Sequence, residues 1–289
     1  MSPAPVAGPR LTWKRVAAEG RSYHYGTAGN GPPLLFLHGW GLGYRAYRHA
    51  LQSLAGLGAG VVAPALPGFG GNAALPAGAL SFAGYADWVS GFLDVIGVEE
   101  PVAVVGHSFG GGVGIRFAHD HPDRVRSLVL VNSVGGSAWA RHGSALRSLT
   151  ERPLWDWGIH LPLDLLPVRQ LTRVVPVVLE DVVPNVMRDP RSLWRVAGLA
   201  RQADLTAELE GLRARGLPIV VLWGRADRVL PQASMESLCA AAGIDPEQVV
   251  TVPGKHTWLL ADPRSFVEVM TNVAGLARLW PVDEDGTAA

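Results

Sequence analysis

Ser108 lies in Gly106-His107-Ser108-Phe109-Gly110, directly after the apolar run Val102-Ala103-Val104-Val105 and just ahead of a helix-like segment, Val113 to Asp120. A serine hydroxyl is a weak nucleophile at neutral pH. It needs a base within hydrogen-bond reach, and the base needs an acid that orients it. A strand-to-helix turn this tight brings Gly106 and Gly110 close together, where a Cβ would clash. Ser108 would then project from strained backbone at a helix N-terminus, whose N–H groups and dipole face any anion formed beside the hydroxyl. That would be half of an acyl-transfer site.

The other two groups follow later strand-like runs. Ile219 to Leu222 leads into Trp223-Gly224-Arg225-Ala226-Asp227, which puts a carboxylate in the loop after a strand. Val249 to Val252 leads into Pro253-Gly254-Lys255-His256, which does the same for an imidazole. In an open parallel sheet the carboxyl ends of the strands share one edge, so residues distant in sequence converge there. Asp204 and Asp262 are alternative acids, but neither follows a strand. The expected order is therefore nucleophile Ser108, acid Asp227, base His256.

The elements that must hold these residues recur along the chain. Leu34 to Leu37, Gly60 to Ala65, Val102 to Val105, Leu128 to Val131, Ile219 to Leu222 and Val249 to Val252 read as strands buried on both faces. Helical stretches at Tyr44 to Leu57, Ser81 to Ile96, Gly112 to Asp120 and Pro231 to Ala242 alternate with them. Such alternation implies crossovers, a mostly parallel sheet and helices on both faces. Leu11 to Ala18 and Ser22 to Gly26, with Glu19-Gly20 between, read as an antiparallel hairpin at the sheet edge. Asp283 to Ala289 reads as a frayed tail.

From Gly135 to about Asp204 the rhythm stops. This insertion carries Trp139, Trp155, Trp157 and Trp194 and is punctuated by prolines, which predicts several short helices. Runs such as Leu161-Pro162-Leu163 are too apolar to face water and are expected to cover the core, a pocket over Ser108, or both.

Composition narrows the function classes. The chain has 289 residues, 48% hydrophobic and 17% charged, enough for a large buried core. Lysine plus arginine and aspartate plus glutamate stand at 25 each, with no basic run, so no nucleic-acid partner is expected. The proline-rich Met1 to Arg10 lacks the apolar core of a secretory signal, and no apolar stretch reaches the roughly 18 residues that span a bilayer. A cytoplasmic protein with no membrane partner is the expectation. Cys239 is the single cysteine and is expected to be a buried structural residue.

The elbow around Ser108, the acid loop around Asp227 and the late His256 resemble the pattern of the α/β-hydrolase fold family across nearly the whole chain. His38-Gly39-Trp40-Gly41 resembles its His-Gly oxyanion loop, and Pro67-Gly68-Phe69-Gly70-Gly71 its Pro-Gly-aromatic-Gly loop. The resemblance implies a core of residues 1–134 and 205–289, with a helical cap, residues 135–204, inserted after the sixth strand. It implies an oxyanion hole made by the backbone N–H groups of Trp40 and Phe109. Substrate contacts are expected from His38, Trp40, His107, Trp139 and Trp258, with His38 and His107 alternatively serving as supports of the loop and elbow. The family sometimes takes its acid from the end of the strand before the cap. Here that position is Asn132-Ser133, without a carboxylate.

The expected activity is a serine hydrolase acting on a small apolar carboxylic ester or lactone, with no metal and no organic cofactor. The alternatives are carbon–carbon bond hydrolysis of a vinylogous diketone on the same three residues, and a non-catalytic ligand receptor on this fold. Relatives of the first alternative usually have asparagine before the serine and tryptophan directly after the histidine, where this chain has His107 and Thr257. The sequence is compatible with a monomer or a homodimer.

Overall fold

Strand β5, Val102–His107, has no exposed residue, and its side chains divide strictly by parity. Val102 and Val104 enter one hydrophobic cluster, Ala103 and Val105 the other. The same division holds for β3, Pro33–Leu37, where Leu35 and Leu37 face one side and Leu34 and Phe36 the opposite one. A period of two with apolar residues on both faces is the mark of a central strand covered on both sides.

The computed structural model describes residues 9–137, 180 and 183–274. Its eight-stranded sheet has the order β1-β2-β4-β3-β5-β6-β7-β8. The remaining strands are β1 Thr12–Ala18, β2 Arg21–Ala28, β4 Gly60–Pro64, β6 Val125–Val131, β7 Ile219–Gly224 and β8 Val250–Val252. Strands β1 and β2 form the expected antiparallel edge hairpin, turned by Glu19 and Gly20, both at positive φ. Strand β2 is antiparallel to β4, and every pairing from β4 through β8 is parallel.

One face is covered by α2, Phe82–Val95, and α3, Phe109–Asp120, which contribute Tyr85, Phe92, Val113 and Phe117. On the other face lie α1, Arg48–Gly56, and, near the C-terminus, a helix at Pro263–Ala274 whose Phe266 and Met270 are fully buried. Between β6 and β7 the described chain carries α4, Val183–Arg188, α5, Pro190–Arg201, and α6, Thr206–Ala214. Helix α5 turns Leu193, Val196, Ala197 and Ala200 into the core, while Arg191, Trp194 and Arg195 are exposed. The helix after β7 is α7, Gln232–Ala242. Two helices close the described chain, α8 at Trp258–Ala261 and α9, the Pro263–Ala274 helix already mentioned. Trp139, Trp155, Trp157 and the tail from Asp283 lie outside the described residues.

Three local expectations need correction. The segment from Tyr44 opens as a 3-10 turn, Tyr44–Tyr47, before α1. Strand β8 is a short edge strand with Thr251 exposed, because only β7 pairs with it. Helix α3 starts at Phe109, directly after the serine, although Gly110, Gly111 and Gly112 are poor helix formers. Their value is contact. A Cβ on Gly110 would collide with the backbone of Leu37 and His38, and one on Gly112 would stand 2.7 Å from Phe82 and Val134.

The chain runs from β3 to β4 on one side and then to β5 on the other, so the sheet order reverses around β3. Loops after β3 and β5 therefore diverge in sequence yet share one crevice, where ligands bind in open α/β sheets.

Candidate active site

Ser108 occupies φ 53°, ψ −118°, a region that non-glycine residues rarely adopt. The neighbours over-determine that geometry. Its N–H donates to Val131 C=O at 3.0 Å, and its own carbonyl accepts from Gly111 N–H at 3.0 Å and Val134 N–H at 3.2 Å. A Cβ on Gly106 would sit 2.6 Å from Gly111 Cα. The close partner of Gly106 is thus the backbone of Gly110 and Gly111, while Gly110 itself is pressed against the end of β3.

Ser108 Oγ is 2.9 Å from His256 Nε2, and His256 Nδ1 is 2.8 Å from Asp227 Oδ2. The carboxylate only accepts, so Nδ1 carries the proton and Nε2 is left to accept the serine hydroxyl. Asp227 also accepts from Asn132 Nδ2 at 2.6 Å, Val229 N–H at 2.7 Å and Leu230 N–H at 2.9 Å. Burial raises the Asp227 carboxyl, but electrostatic attraction from His256 and the hydrogen bonds given by His256, Leu230 and Asn132 outweigh it, leaving the group below the usual carboxylate range. The loops that carry the acid and the base are packed together: Arg225 N–H donates to Val252 C=O at 2.8 Å and Ala226 N–H to Gly254 C=O at 2.9 Å. A Cβ on Gly224 would stand 2.6 Å from Gly254 O.

The loop after β3 reaches the elbow through buried polar groups. His107 Nε2 donates to His256 C=O at 3.0 Å, which leaves Nδ1 to accept the Tyr47 hydroxyl at 2.8 Å. Tyr47 in turn accepts Gly39 N–H at 3.0 Å. His38 Nδ1 donates to Gly39 C=O at 2.9 Å, and its Nε2 accepts Leu66 N–H at 2.8 Å. Both histidines are fully buried with both ring nitrogens bonded to protein. They support the loop and elbow and offer no free ring nitrogen for substrate.

Trp258 also departs from its expected place. Its ring packs on Phe266, and its indole N–H donates to Asn132 Oδ1 at 3.0 Å, so it braces the asparagine that bonds the acid. The Trp40 indole N–H donates to Leu193 C=O at 2.7 Å, and its ring lies 6.0 Å from that of Trp194. Its ring is thereby tied to helix α5. Phe109 is the first residue of α3, where the N–H has no intrahelical acceptor, and its buried ring packs on Phe82 and Tyr85. Trp139 lies outside the described residues. Cys239 is buried beside Met235, and burial pushes its thiol up to about 11.

Among the described residues no cluster of histidine, cysteine, aspartate or glutamate could hold a metal ion. No described helix is long and apolar enough to cross a membrane.

The two buried histidines carry a pH signature. Burial pulls His38 down to about 4; burial and the neighbouring His256 pull His107 down to about 3. An unfolded histidine titrates near about 6.5, so below that pH the unfolded chain binds more protons than the native one. Stability is then complete above about pH 6.5 and falls as the pH drops toward the two folded values, by on the order of 3 kcal/mol per histidine at full effect. The melting temperature is expected to fall steadily from about pH 6.5 to about pH 5, and a level profile there would contradict the assignment.

Sequence reasoning missed Asn132 as a partner of the acid, and Tyr47 as the bridge between two loops. Asparagine at the end of an apolar strand tolerates positive φ, which is the one local signal Asn132 gave.

A family model described as alpha/beta hydrolase fold matches residues 32–158. The 2-hydroxymuconate semialdehyde hydrolase of Pseudomonas putida is 33% identical over 249 residues, covering 80% of this chain and 83% of that protein. Among solved structures, the enol-lactonase from Burkholderia xenovorans LB400 superposes with a TM-score of 0.70 at 20% identity, covering 90% of this chain and 98% of its own. A bacterial membrane phospholipase A gives a TM-score of 0.70 at 23% identity, over 93% of this chain and 87% of that one. Those two likenesses concern the fold. The identity shared with the Pseudomonas putida enzyme runs through most of both chains, and with the matching family model it makes this chain a member of the α/β-hydrolase fold family.

Proposed function

We propose that the protein is a serine hydrolase that cleaves a small apolar carboxylic ester or lactone through an acyl-enzyme. The observation that carries this reading is the unbroken chain of hydrogen bonds from Ser108 Oγ through His256 to Asp227. Ser108 Oγ attacks the carbonyl carbon as its proton passes to His256 Nε2. Asp227 stabilises the imidazolium and holds its tautomer. The backbone N–H groups of Trp40 and Phe109 receive the tetrahedral oxyanion, each worth on the order of 3 kcal/mol in the transition state. His256 returns the proton to the leaving alcohol, and water then attacks the acyl-enzyme by the same route in reverse. Helix α5, which follows β6 in the chain and holds the Trp40 indole, is part of the cap that selects the substrate.

Carbon–carbon bond hydrolysis is the second reading, favoured by the similarity to the 2-hydroxymuconate semialdehyde hydrolase. Against it stands His107, whose ring is committed to Tyr47 and the His256 carbonyl. A panel of aryl esters and lactones of graded acyl length, run beside a vinylogous dienoate, separates the two. Faster turnover of an ester or lactone is expected; faster turnover of the dienoate would reverse the assignment.

A further inference from the structure

Asn132 follows β6 directly, at φ 42°, and it is fully buried. A buried asparagine in the left-handed region is held there by its surroundings, and here both ends of its side-chain amide are hydrogen-bonded. Its Oδ1 accepts Gly224 N–H at 3.2 Å and the Trp258 indole N–H at 3.0 Å. Both groups can only donate, so the orientation of the amide is fixed and Nδ2 is the atom that faces Asp227 Oδ2 at 2.6 Å. That same carboxylate oxygen receives His256 Nδ1–H.

These contacts join three pieces of chain. Gly224 is the last residue of β7 and leads into the loop that bears the acid. Trp258 is the first residue of α8, two places after the base. Asp227 is the acid itself. Its other oxygen is held by the N–H groups of Val229 and Leu230, so the carboxylate cannot rotate without giving up one set of partners.

We propose that Asn132 is a positioning residue for the acid–base pair. It fixes the carboxylate oxygen that orients His256, and it holds the acid-bearing and base-bearing segments in register from the neighbouring strand. The inference rests on Ser108, His256 and Asp227 being the reacting groups. The ionisable groups around it are Asp227 on the loop after β7, His256 after β8, and His107 on β5, which is buried and neutral. Arg225 and Arg228, on the acid loop, are exposed.

The test follows the rate at which a fluorophosphonate probe labels Ser108 as a function of pH, in native protein, Asn132→Asp and Asn132→Ala, with a thermal melt of each. Asn132→Ala removes the donor to a charged acceptor, and labelling is expected to slow about 10- to 100-fold. Asn132→Asp keeps an acceptor for Gly224 and Trp258 and sets a second carboxyl against Asp227. Two carboxyls this close share a proton at low pH, where the new group donates to Asp227 in place of Nδ2–H; as the pH rises that proton is lost and the two charges repel. Labelling of Asn132→Asp is therefore expected to approach the native rate at the acid end of the profile and to fall about 10-fold or more below it toward alkaline pH. If the alanine variant does not fold, that alkaline loss in Asn132→Asp decides. An Asn132→Asp profile that overlays the native one throughout overturns the proposal, as does a folded Asn132→Ala that labels within about twofold of the native rate. Native protein that leaves Ser108 unlabelled overturns the serine-hydrolase reading itself, and this inference with it.

Discussion

Replacing Ser108 by alanine is expected to lower ester turnover by a factor of about 10⁴ or more while leaving the fold intact. The hydroxyl is the only atom group lost, and it is the one 2.9 Å from His256 Nε2. The backbone strain at φ 53° is shared by serine and alanine alike, and the backbone hydrogen bonds of residue 108 do not involve the side chain. The melting temperature should therefore stay within a few degrees of native. Steady-state hydrolysis of an aryl ester, measured beside a thermal melt, checks both halves. A Ser108→Ala protein that is folded and keeps more than about a hundredth of native activity would remove the serine from the reaction.

Asp227→Asn should be nearly as costly to turnover, about 10³- to 10⁴-fold, and for a reason that the hydrogen-bond polarity makes specific. One carboxylate oxygen accepts two backbone N–H groups and the other accepts both Asn132 Nδ2 and His256 Nδ1–H. An asparagine can satisfy only one of these positions with its oxygen. If the oxygen stays with Val229 and Leu230, the new amide NH₂ meets two donors, and His256 must adopt the other tautomer to escape the conflict. Nε2 then bears the proton and cannot accept one from Ser108. Measured kcat/KM should fall mainly through kcat, since the carboxylate touches no substrate. Loss confined to KM would place Asp227 in substrate binding instead.

Much of this arrangement was legible because its signals are local. An apolar run followed by Gly-x-Ser-x-Gly, by Gly-Arg-Ala-Asp or by Pro-Gly-Lys-His announces both a strand and the residue delivered at its carboxyl end. The parallel sheet then brings those ends together at one edge. The parity of Leu34 to Leu37 and Val102 to Val105 likewise follows from strands covered on both faces.

What escaped depends on partners far away in sequence. His107 is bonded to Tyr47 and to the carbonyl of His256, and neither neighbour is visible from the elbow motif. Trp258 stands beside the catalytic-looking histidine in sequence, yet helix α8 turns its ring toward Phe266 and its N–H toward Asn132. The early start of α3 was hidden by three glycines whose poor helix propensity is offset by contacts with β3, Phe82 and Val134. The indole bond of Trp40 to Leu193 on α5 was equally out of sight.

The central claim is that Ser108 is a nucleophile activated by His256 and Asp227. Incubating the folded native protein with a fluorophosphonate probe and locating the adduct by peptide mass spectrometry tests it most directly. One phosphonyl group on Ser108, absent from the Ser108→Ala variant and strongly slowed in Asp227→Asn, is the predicted result. Folded protein that takes up no probe, or takes it up on a residue other than Ser108, would contradict the account.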